Sequence, residues 1–213
     1  MTSPYQVVRD FENEVASFAG SEYAVAVDNC TNALFLCCKY LKVEDVIIPC
    51  RTYPSVPCSI INAGGKVNFR DDDWSERGFY RLEPYPIYDA AHLFQREMYK
   101  KYPYYLCGGD QDIYPHAFMC ISFSAKKPIG IGKGGMILTN DKDAVEWFKQ
   151  ARYFGRHEKP LMEDSFEMIG WNMYMSPEQA ARGLLLMWDF DKEVDHLPIP
   201  EYPDLSQYEI YQQ

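Results

Sequence analysis

The apolar positions along the chain follow two alternating patterns, short continuous runs and positions at helical spacing. The first helical pattern, in residues 5–20, places Val8, Phe11 and Val15 on one face and ends at Gly20, a residue favoured after helices. Six short apolar runs predict strands: EYAVAVDN, DVIIPC, KVNFRD, YPIYDAAH, FMCISFS and GGMILTN. Strands that alternate with helices predict an α/β fold, with a mostly parallel sheet flanked by helices.

The remaining helical patterns lie between and after these strands. TNALFLCCKYL follows Asn29 and Thr31, either of which can cap it, and the later segments are YPSVPCSIINAGG and DKDAVEWFKQARYF. The last pattern covers residues 175–190, where Ser176 is a good N-cap. Residues 191–213 are rich in proline and acidic side chains. We therefore expect one α/β domain over residues 1–190, followed by an extended tail over residues 191–213.

The charge and cysteine content exclude several classes of function. The 213 residues carry a formal net charge of -10, which disfavours binding to nucleic acid or to an anionic membrane. The sequence shows neither a signal peptide nor an apolar run of the roughly 20 residues that cross a bilayer. Seven cysteines are scattered through apolar segments without a CxxC pair, which argues against structural zinc. This pattern predicts buried thiols in a reducing cytoplasm.

The candidate chemistry gathers where the predicted strands end. In open α/β sheets, ligands bind at the carboxyl ends of the strands. One such end continues as ISFSAKKPIGIGKGG, which contains the adjacent lysines Lys126 and Lys127. A lysine amine forms an imine with an aldehyde once burial or a neighbouring cation lowers its pKa. The aldehyde cofactor that suits such a site is pyridoxal 5'-phosphate (PLP).

PLP requires three further groups, and the sequence offers a candidate for each. Asp89, at the end of YPIYDAAH, can pair with the pyridinium nitrogen so that the ring withdraws electrons. Thr31 and the free backbone N–H groups of the helix that starts at NCTNAL can bind the phosphate. Tyr53 can stack on the ring, and His92 lies three residues after Asp89.

The order and spacing of these motifs resemble the DegT/StrS family of PLP-dependent nucleotide-sugar aminotransferases. NCTNAL resembles the family's SGTxAL with Cys30 in place of the glycine, PCRTY its P-x-x-T-aromatic element, and DAAH its DxAQ/H element. SFSAKKPIGIGKGG resembles its SFxxxK segment followed by GxGG, and GWN its GxN element. The family places the lysine five positions after the serine, which selects Lys127 rather than Lys126.

The resemblance implies a role for each residue and a fold. The implied fold is the large domain of fold-type I PLP enzymes, arranged as a homodimer with shared sites. Lys127 would bind the aldehyde and shuttle protons, Asp89 would hold the ring nitrogen, and His92 would sit beside the ring hydroxyl. The implied cofactor-binding set is Lys127, Asp89, His92, Tyr53, Cys30, Thr31, Ser122 and Asn172, with Asn172 donated across the dimer. The implied reaction moves an amino group from glutamate to a nucleotide-linked keto-sugar.

Two departures from the family pattern leave alternatives open. The sequence continues only to residue 213 after the pattern at 175–190, so we expect the family's small C-terminal domain to be absent, and Tyr174 stands where the family commonly has arginine. A PLP-dependent sugar dehydratase of the same family is one alternative, although that branch carries histidine at the position of Lys127. The other is a non-catalytic cofactor-binding or regulatory module.

Simpler interpretations exist for individual residues. The lysine pair can be a solvated turn, His92 a packed core histidine, Cys30 a small buried residue, and Thr31 a helix cap. GIGKGG lacks the spacing of a phosphate-binding loop and favours a tight turn. The aromatic segment YKKYPYYL can be a dimer contact or a loop packed on the domain.

Overall fold

Helices cover both faces of the sheet. The computed structural model describes residues 3–106, 116–190 and 197–212, with the side chains of 103–106 left out. The helices in these ranges are α1 (Gln6–Ala19), α2 (Cys30–Leu41), α3 (Ser55–Ala63), α4 (Met98–Leu106), α5 (Lys142–Ala151) and α6 (Pro177–Trp188). The strands are β1 (Tyr23–Val27), β2 (Asp45–Pro49), β3 (Lys66–Arg70), β4 (Tyr80–Leu82), β5 (Ile87–Asp89), β6 (Phe118–Ser122) and β7 (Gly135–Thr139).

The sheet is mixed, which corrects the expectation of a mostly parallel sheet while confirming the α/β class. Five strands follow the order β1-β7-β6-β5-β4, and β2 and β3 form a separate parallel pair. Within the larger sheet only β5 and β6 are parallel; the β1–β7, β6–β7 and β4–β5 pairs are antiparallel. The links from β4 to β5 and from β6 to β7 contain no helix, so each strand can return antiparallel to the one before it.

Alternating residues of the central strands feed two apolar cores, one on each face. Ala24 and Met119 pack into the same core as Phe11 of α1. Their neighbours Val25 and Phe118 point to the opposite face and pack into the core that contains residues of α2 and α5. This period of two, with both faces buried, is why these strands appear in the sequence as continuous apolar runs.

Most helix ends follow the capping rules that the sequence indicated. The side chain of Asn29, rather than that of Thr31, caps α2 by accepting a hydrogen bond from the Asn32 N–H at 2.8 Å. Ser176 caps α6 and forms a reciprocal capping box with Gln179. Strand β4 and helix α4 were not predicted. The aromatic segment YKKYPYYL lies in α4. Its side chains from residue 103 onward are outside the described part of the structure.

Most cysteine side chains are buried, as the sequence predicted. Five of the six cysteines in the described residues are buried, and Cys58 is half-buried; Cys107 lies outside the described residues. The Cys37 and Cys120 sulfurs lie 3.7 Å apart in the core as free thiols. Among the described residues, no group of three or more His, Cys, Asp or Glu side chains is placed to hold a metal ion. No described helix is both long and apolar enough to cross a membrane.

Candidate cofactor site

The two adjacent lysines occupy different environments in the turn between β6 and β7. The turn is tight: the Lys127 N–H donates to the Ser124 carbonyl at 2.9 Å, and a Cβ on Gly130 would lie 2.7 Å from the Ala125 carbonyl oxygen. Lys126 is exposed, whereas Lys127 is half-buried. Burial lowers the pKa of the Lys127 amine, although the nearby charge of Asp89 opposes the shift. A lowered pKa increases the fraction of neutral amine, which is the nucleophilic form.

Asp89 ends β5 with its carboxylate enclosed in the protein. The residue is 7% exposed, its Oδ2 accepts the Tyr80 hydroxyl at 2.8 Å, and its Oδ1 accepts the Ala91 N–H at 3.0 Å. Burial raises the pKa of Asp89, and these two hydrogen bonds and the Lys127 charge oppose the rise without cancelling it. A cation placed against this carboxylate would restore its ordinary ionisation, and a protonated ring nitrogen is such a cation.

The N-terminus of α2 lies directly against the start of β7. A Cβ on Gly135 would approach the Cys30 backbone nitrogen to 2.5 Å, so only glycine allows this contact. The Thr31 hydroxyl donates to the Ser55 hydroxyl at 2.9 Å, which places Thr31 beside the first turn of α3. Helix N-termini of this kind bind anions through their free N–H groups. Burial, then the Asp89 charge, raises the pKa of the Cys30 thiol, so Cys30 is a protonated, small buried residue at this end of the helix.

Ser122 and Asn172 differ in how closely the structure ties them to this site. Ser122 is half-buried at the end of β6, opposite Gly135, and its hydroxyl accepts the Ser124 N–H at 3.4 Å. The side chain of Asn172 is exposed, and its backbone forms an isolated bridge with Tyr153. Ser122 therefore lies at the base of the lysine turn, whereas Asn172 is exposed to solvent on the single chain.

Tyr53 and His92 share an unexpected neighbour from the C-terminal end of the chain. Tyr202 shares a 3.1 Å hydrogen bond between its hydroxyl and His92 Nε2, and its ring centroid lies 6.2 Å from that of Tyr53. His92 is 9% exposed and Tyr53 is 59% exposed. Burial, then the Asp89 charge, raises the pKa of Tyr202 to about 12, so its hydroxyl stays protonated. Sequence reasoning missed Tyr202, because nothing local connects it to residues more than a hundred positions earlier.

Residues 197–212, which we call the strap, bring Tyr202 to this position. The Leu197 N–H donates to the His92 carbonyl at 3.0 Å, and the Leu205 N–H donates to the Cys50 carbonyl at 2.9 Å. Leu205 is 2% exposed, and Asp204 forms a backbone bridge with Arg51. The strap also contains two short 3-10 helices, Leu205–Gln207 and Glu209–Tyr211. It therefore joins the end of β2 to the segment after β5, across the candidate site.

Leu205→Ala is expected to release the strap. Truncating a buried leucine costs about 2–5 kcal/mol, so the Leu197 and Leu205 amides should exchange with solvent roughly 30-fold faster or more. Hydrogen exchange measured by NMR or mass spectrometry checks this. The control is Ile210→Ala, because Ile210 lies on the same strap and is 66% exposed. Unchanged exchange at both amides in Leu205→Ala would show that Leu205 does not hold the strap.

The groups present fit PLP by their chemistry. Asp89 is a buried acceptor for a cationic ring nitrogen, Lys127 is an amine with a lowered pKa, and the start of α2 offers N–H donors for a phosphate. Tyr53 presents an exposed aromatic ring, and His92 a ring nitrogen. These groups lie at or just after the ends of β2, β5 and β6 and at the start of α2. Their roles toward PLP stay predictions.

Comparison with protein families also indicates a PLP-binding chain. The model of the DegT/DnrJ/EryC1/StrS aminotransferase family matches residues 1–76 and 112–196. The chain belongs to this family. PLP is the cofactor of its aminotransferases. The match includes Lys127, Thr31 and Tyr53 but leaves out residues 77–111, which contain Asp89, His92 and Tyr80.

Curated relatives in the family are longer than this chain. The spore coat polysaccharide biosynthesis protein SpsC of Bacillus subtilis (strain 168) is 26% identical, in an alignment that covers 83% of this chain and 55% of SpsC. The GDP-perosamine synthase of Caulobacter vibrioides is also 26% identical, over 91% of this chain and 60% of the synthase. The chain thus spans a little over half the length of these relatives.

Solved structures show the same fold. DesV of S. venezuelae, solved in complex with a ketimine intermediate, matches with a TM-score of 0.66 at 19% identity, over 87% of this chain and 57% of DesV. The 3-amino-5-hydroxybenzoic acid synthase matches with a TM-score of 0.68 at 19% identity, over 87% of this chain and 56% of the synthase. The α/β fold predicted for this chain is confirmed by these likenesses.

Proposed function

We propose that this chain is the PLP-binding part of an aminotransferase that moves an amino group from glutamate to a nucleotide-linked keto-sugar. The observation that carries the proposal is that the half-buried amine of Lys127, which follows β6, and the buried carboxylate of Asp89, at the end of the neighbouring parallel strand β5, lie close enough for their charges to interact. Burying two ionisable groups costs free energy, and such costs concentrate at functional sites. Membership of the family supports the reaction class.

Each residue has a task that follows from its position. Bound PLP would supply an aldehyde and a ring that withdraws electrons. Lys127 would provide the neutral amine that meets the aldehyde and, once glutamate displaces it, would act as the base that removes the proton from the α-carbon of glutamate. Asp89 would hold the ring nitrogen in its protonated form. Thr31 and the N-terminus of α2 would hold the phosphate, with Ser122 nearby, and Tyr53 would cover one face of the ring.

The substrates are inferred from the relatives. The Caulobacter relative is named as a GDP-perosamine synthase, and a Helicobacter pylori relative, 38% identical over 63 residues, as a transaminase of a UDP-linked amino sugar. These names support a keto-sugar on a nucleotide diphosphate as the acceptor. Glutamate as the amino donor follows from the family resemblance.

We also propose a homodimer with shared sites. Several large apolar side chains are exposed on the single chain, including Met162 at 95%, Ile169 at 90% and Trp188 at 87%. Large apolar side chains that are this exposed would be covered where another protein binds over them. The exposed Asn172 would then reach the phosphate bound by the partner chain. This arrangement and a cytoplasmic location remain predictions.

A half-reaction with glutamate tests the proposed function. The purified chain, incubated with PLP, should show a visible absorbance band that borohydride bleaches. In a second sample without borohydride, L-glutamate should remove that band and release 2-oxoglutarate in an amount equal to the bound cofactor. D-glutamate, with its α-hydrogen on the opposite side, should leave the band unchanged. A band that survives L-glutamate would contradict the aminotransferase and favour the non-catalytic cofactor-binding module.

A further inference from the structure

Tyr80 lies directly across from Asp89 on the neighbouring strand. Strands β4 and β5 are antiparallel, and their register pairs Tyr80 with Asp89. Paired residues of an antiparallel ladder direct their side chains to the same face of the sheet. The Tyr80 hydroxyl reaches Asp89 Oδ2 at 2.8 Å, and Tyr80 is 2% exposed. Both residues lie in residues 77–111, the segment that the family match leaves out.

A third buried residue, Thr52, fixes the direction of the hydrogen bond. The Thr52 hydroxyl lies 2.5 Å from the Tyr80 hydroxyl, and Thr52 is 1% exposed. An ionised carboxylate only accepts, so Tyr80 must donate its single proton to Asp89. The oxygen of Tyr80 is then an acceptor, and Thr52 must donate to it. The three groups form one chain of donors that runs from Thr52 through Tyr80 to Asp89.

Several titratable or polar groups surround the Asp89 carboxylate and can affect its pKa. Tyr80 faces it from β4, Lys127 from the lysine turn, and the Ala91 N–H from the segment after β5. The other titratable groups that interact with its charge are Cys30 on α2, Cys120 on β6 and Tyr202 on the strap, all with raised pKa values and therefore neutral. Among these, Tyr80 is the only side chain shown to donate a hydrogen bond to the carboxylate.

We propose that Tyr80 is a positioning residue that orients the Asp89 carboxylate and keeps it ionised for a cationic ring nitrogen. This inference rests on the proposed function, because it assigns the ring nitrogen to Asp89. A purely structural role is the competing explanation, since the Tyr80 ring also packs 4.8 Å from Trp74 in the core. The two explanations differ in what the hydroxyl does. A structural hydroxyl affects stability equally at all pH values, whereas a positioning hydroxyl changes the ionisation of Asp89.

The first test measures binding of 4-deoxypyridoxine 5'-phosphate, a PLP analogue without the aldehyde, as a function of pH. Tyr80→Phe should weaken binding about tenfold at neutral pH, since hydrogen bonds to charged groups are worth about 1.5–3 kcal/mol. The acidic side of the binding profile should move to higher pH, because Asp89 then protonates more readily. Thr52→Val should act in the same direction with a smaller effect.

Tyr99→Phe is the matched control. Tyr99 is also fully buried, and its hydroxyl donates to the Ala117 carbonyl at 2.8 Å and accepts the Asn140 N–H at 3.2 Å. Its loss should lower stability without moving the binding profile. If Tyr80→Phe leaves the profile where it is in the wild type, or changes it no more than Tyr99→Phe does, the proposal is wrong.

A second measurement tests the contact without any cofactor. Burial raises the folded-state pKa of Asp89 above its ordinary 3.8, so the free energy of unfolding falls as pH rises from 3.8 through that raised value. Tyr80→Phe should raise this pKa further, and its cost relative to the wild type should therefore grow with pH. A cost that is the same at every pH would overturn the proposal. Absence of analogue binding to the wild-type chain would instead contradict the proposed function, and this second measurement would still decide the role of Tyr80.

Discussion

Replacing Lys127 with alanine is expected to abolish the PLP absorbance band that borohydride bleaches. Once unbound PLP has been removed, that band reports the link between a lysine amine and the aldehyde, and borohydride fixes the cofactor covalently to the chain only through such a link. Lys127 is the half-buried lysine whose pKa is lowered at the site. Any remaining amino-group transfer should fall by at least about 10²–10⁴-fold, the usual contribution of a positioned acid–base group. Absorbance spectra before and after borohydride, together with 2-oxoglutarate release, measure both effects.

Lys126→Ala is the matched control for this experiment. Lys126 has the same chemistry, precedes Lys127 directly and is exposed. Its removal should leave the band and the rate of transfer close to those of the wild type. Loss of the band in Lys126→Ala, or its survival in Lys127→Ala, would show that the sequence spacing selects the wrong lysine.

The elements that the sequence predicted are those with strong local signals. The caps at Asn29 and Ser176 and the apolar runs of β1, β6 and β7 each depend on residues a few positions apart. The half-burial of Lys127 and the burial of Asp89 and His92 were also predictable, because they lie where the chain leaves a buried strand. Local patterns were sufficient for these features, since their physical cause is itself local.

The features that were missed depend on contacts between distant parts of the chain. Strand β4 is three residues long, too short for a period of two to be visible, and it is defined by its pairing with β5. The mixed sheet follows from links without helices, which fix direction only once the strand order is known. The strap is held by contacts to Cys50, Arg51, Tyr53 and His92, all more than a hundred residues earlier. A proline-rich stretch gives no signal of such partners.

The strap shows that part of the C-terminal segment lies on the candidate site. Sequence reasoning described residues 191–213 as an extended tail, and the domain boundary at residue 190 stays a prediction. The described part of that segment lies on the site: Tyr202 contacts Tyr53 and His92, the two side chains assigned to the PLP ring. A hydroxyphenyl ring and a hydroxypyridine ring are similar in size and in hydrogen bonding. In this chain His92 therefore already binds an aromatic hydroxyl, and Tyr53 already lies against the ring that carries it.

Asp89→Asn is expected to affect cofactor binding and protein stability in opposite ways. The amide cannot form a charge-assisted hydrogen bond with a protonated ring nitrogen, and losing such a bond costs about 1.5–3 kcal/mol. The Kd of PLP should therefore rise roughly 10- to 150-fold. The ring nitrogen should also lose its proton more readily, so transfer from glutamate should slow further. Titration of PLP followed by absorbance, and the glutamate half-reaction, measure these effects.

The stability of the cofactor-free chain distinguishes this effect from simple damage to the fold. In the wild type, burial raises the pKa of Asp89, so its ionisation lowers the free energy of unfolding as pH rises above 3.8. Asp89→Asn removes that ionisation, so its stability relative to the wild type should improve as pH rises from 3.8 through the raised pKa of Asp89, and should then stay constant. Urea denaturation across the pH range checks the trend. A variant that loses PLP affinity while its relative stability stays constant with pH would show that Asp89 carries no buried charge. The pairing of Asp89 with a cationic ring would then have no electrostatic basis, because only a carboxylate held at a cost in the folded chain gains from receiving a positive partner.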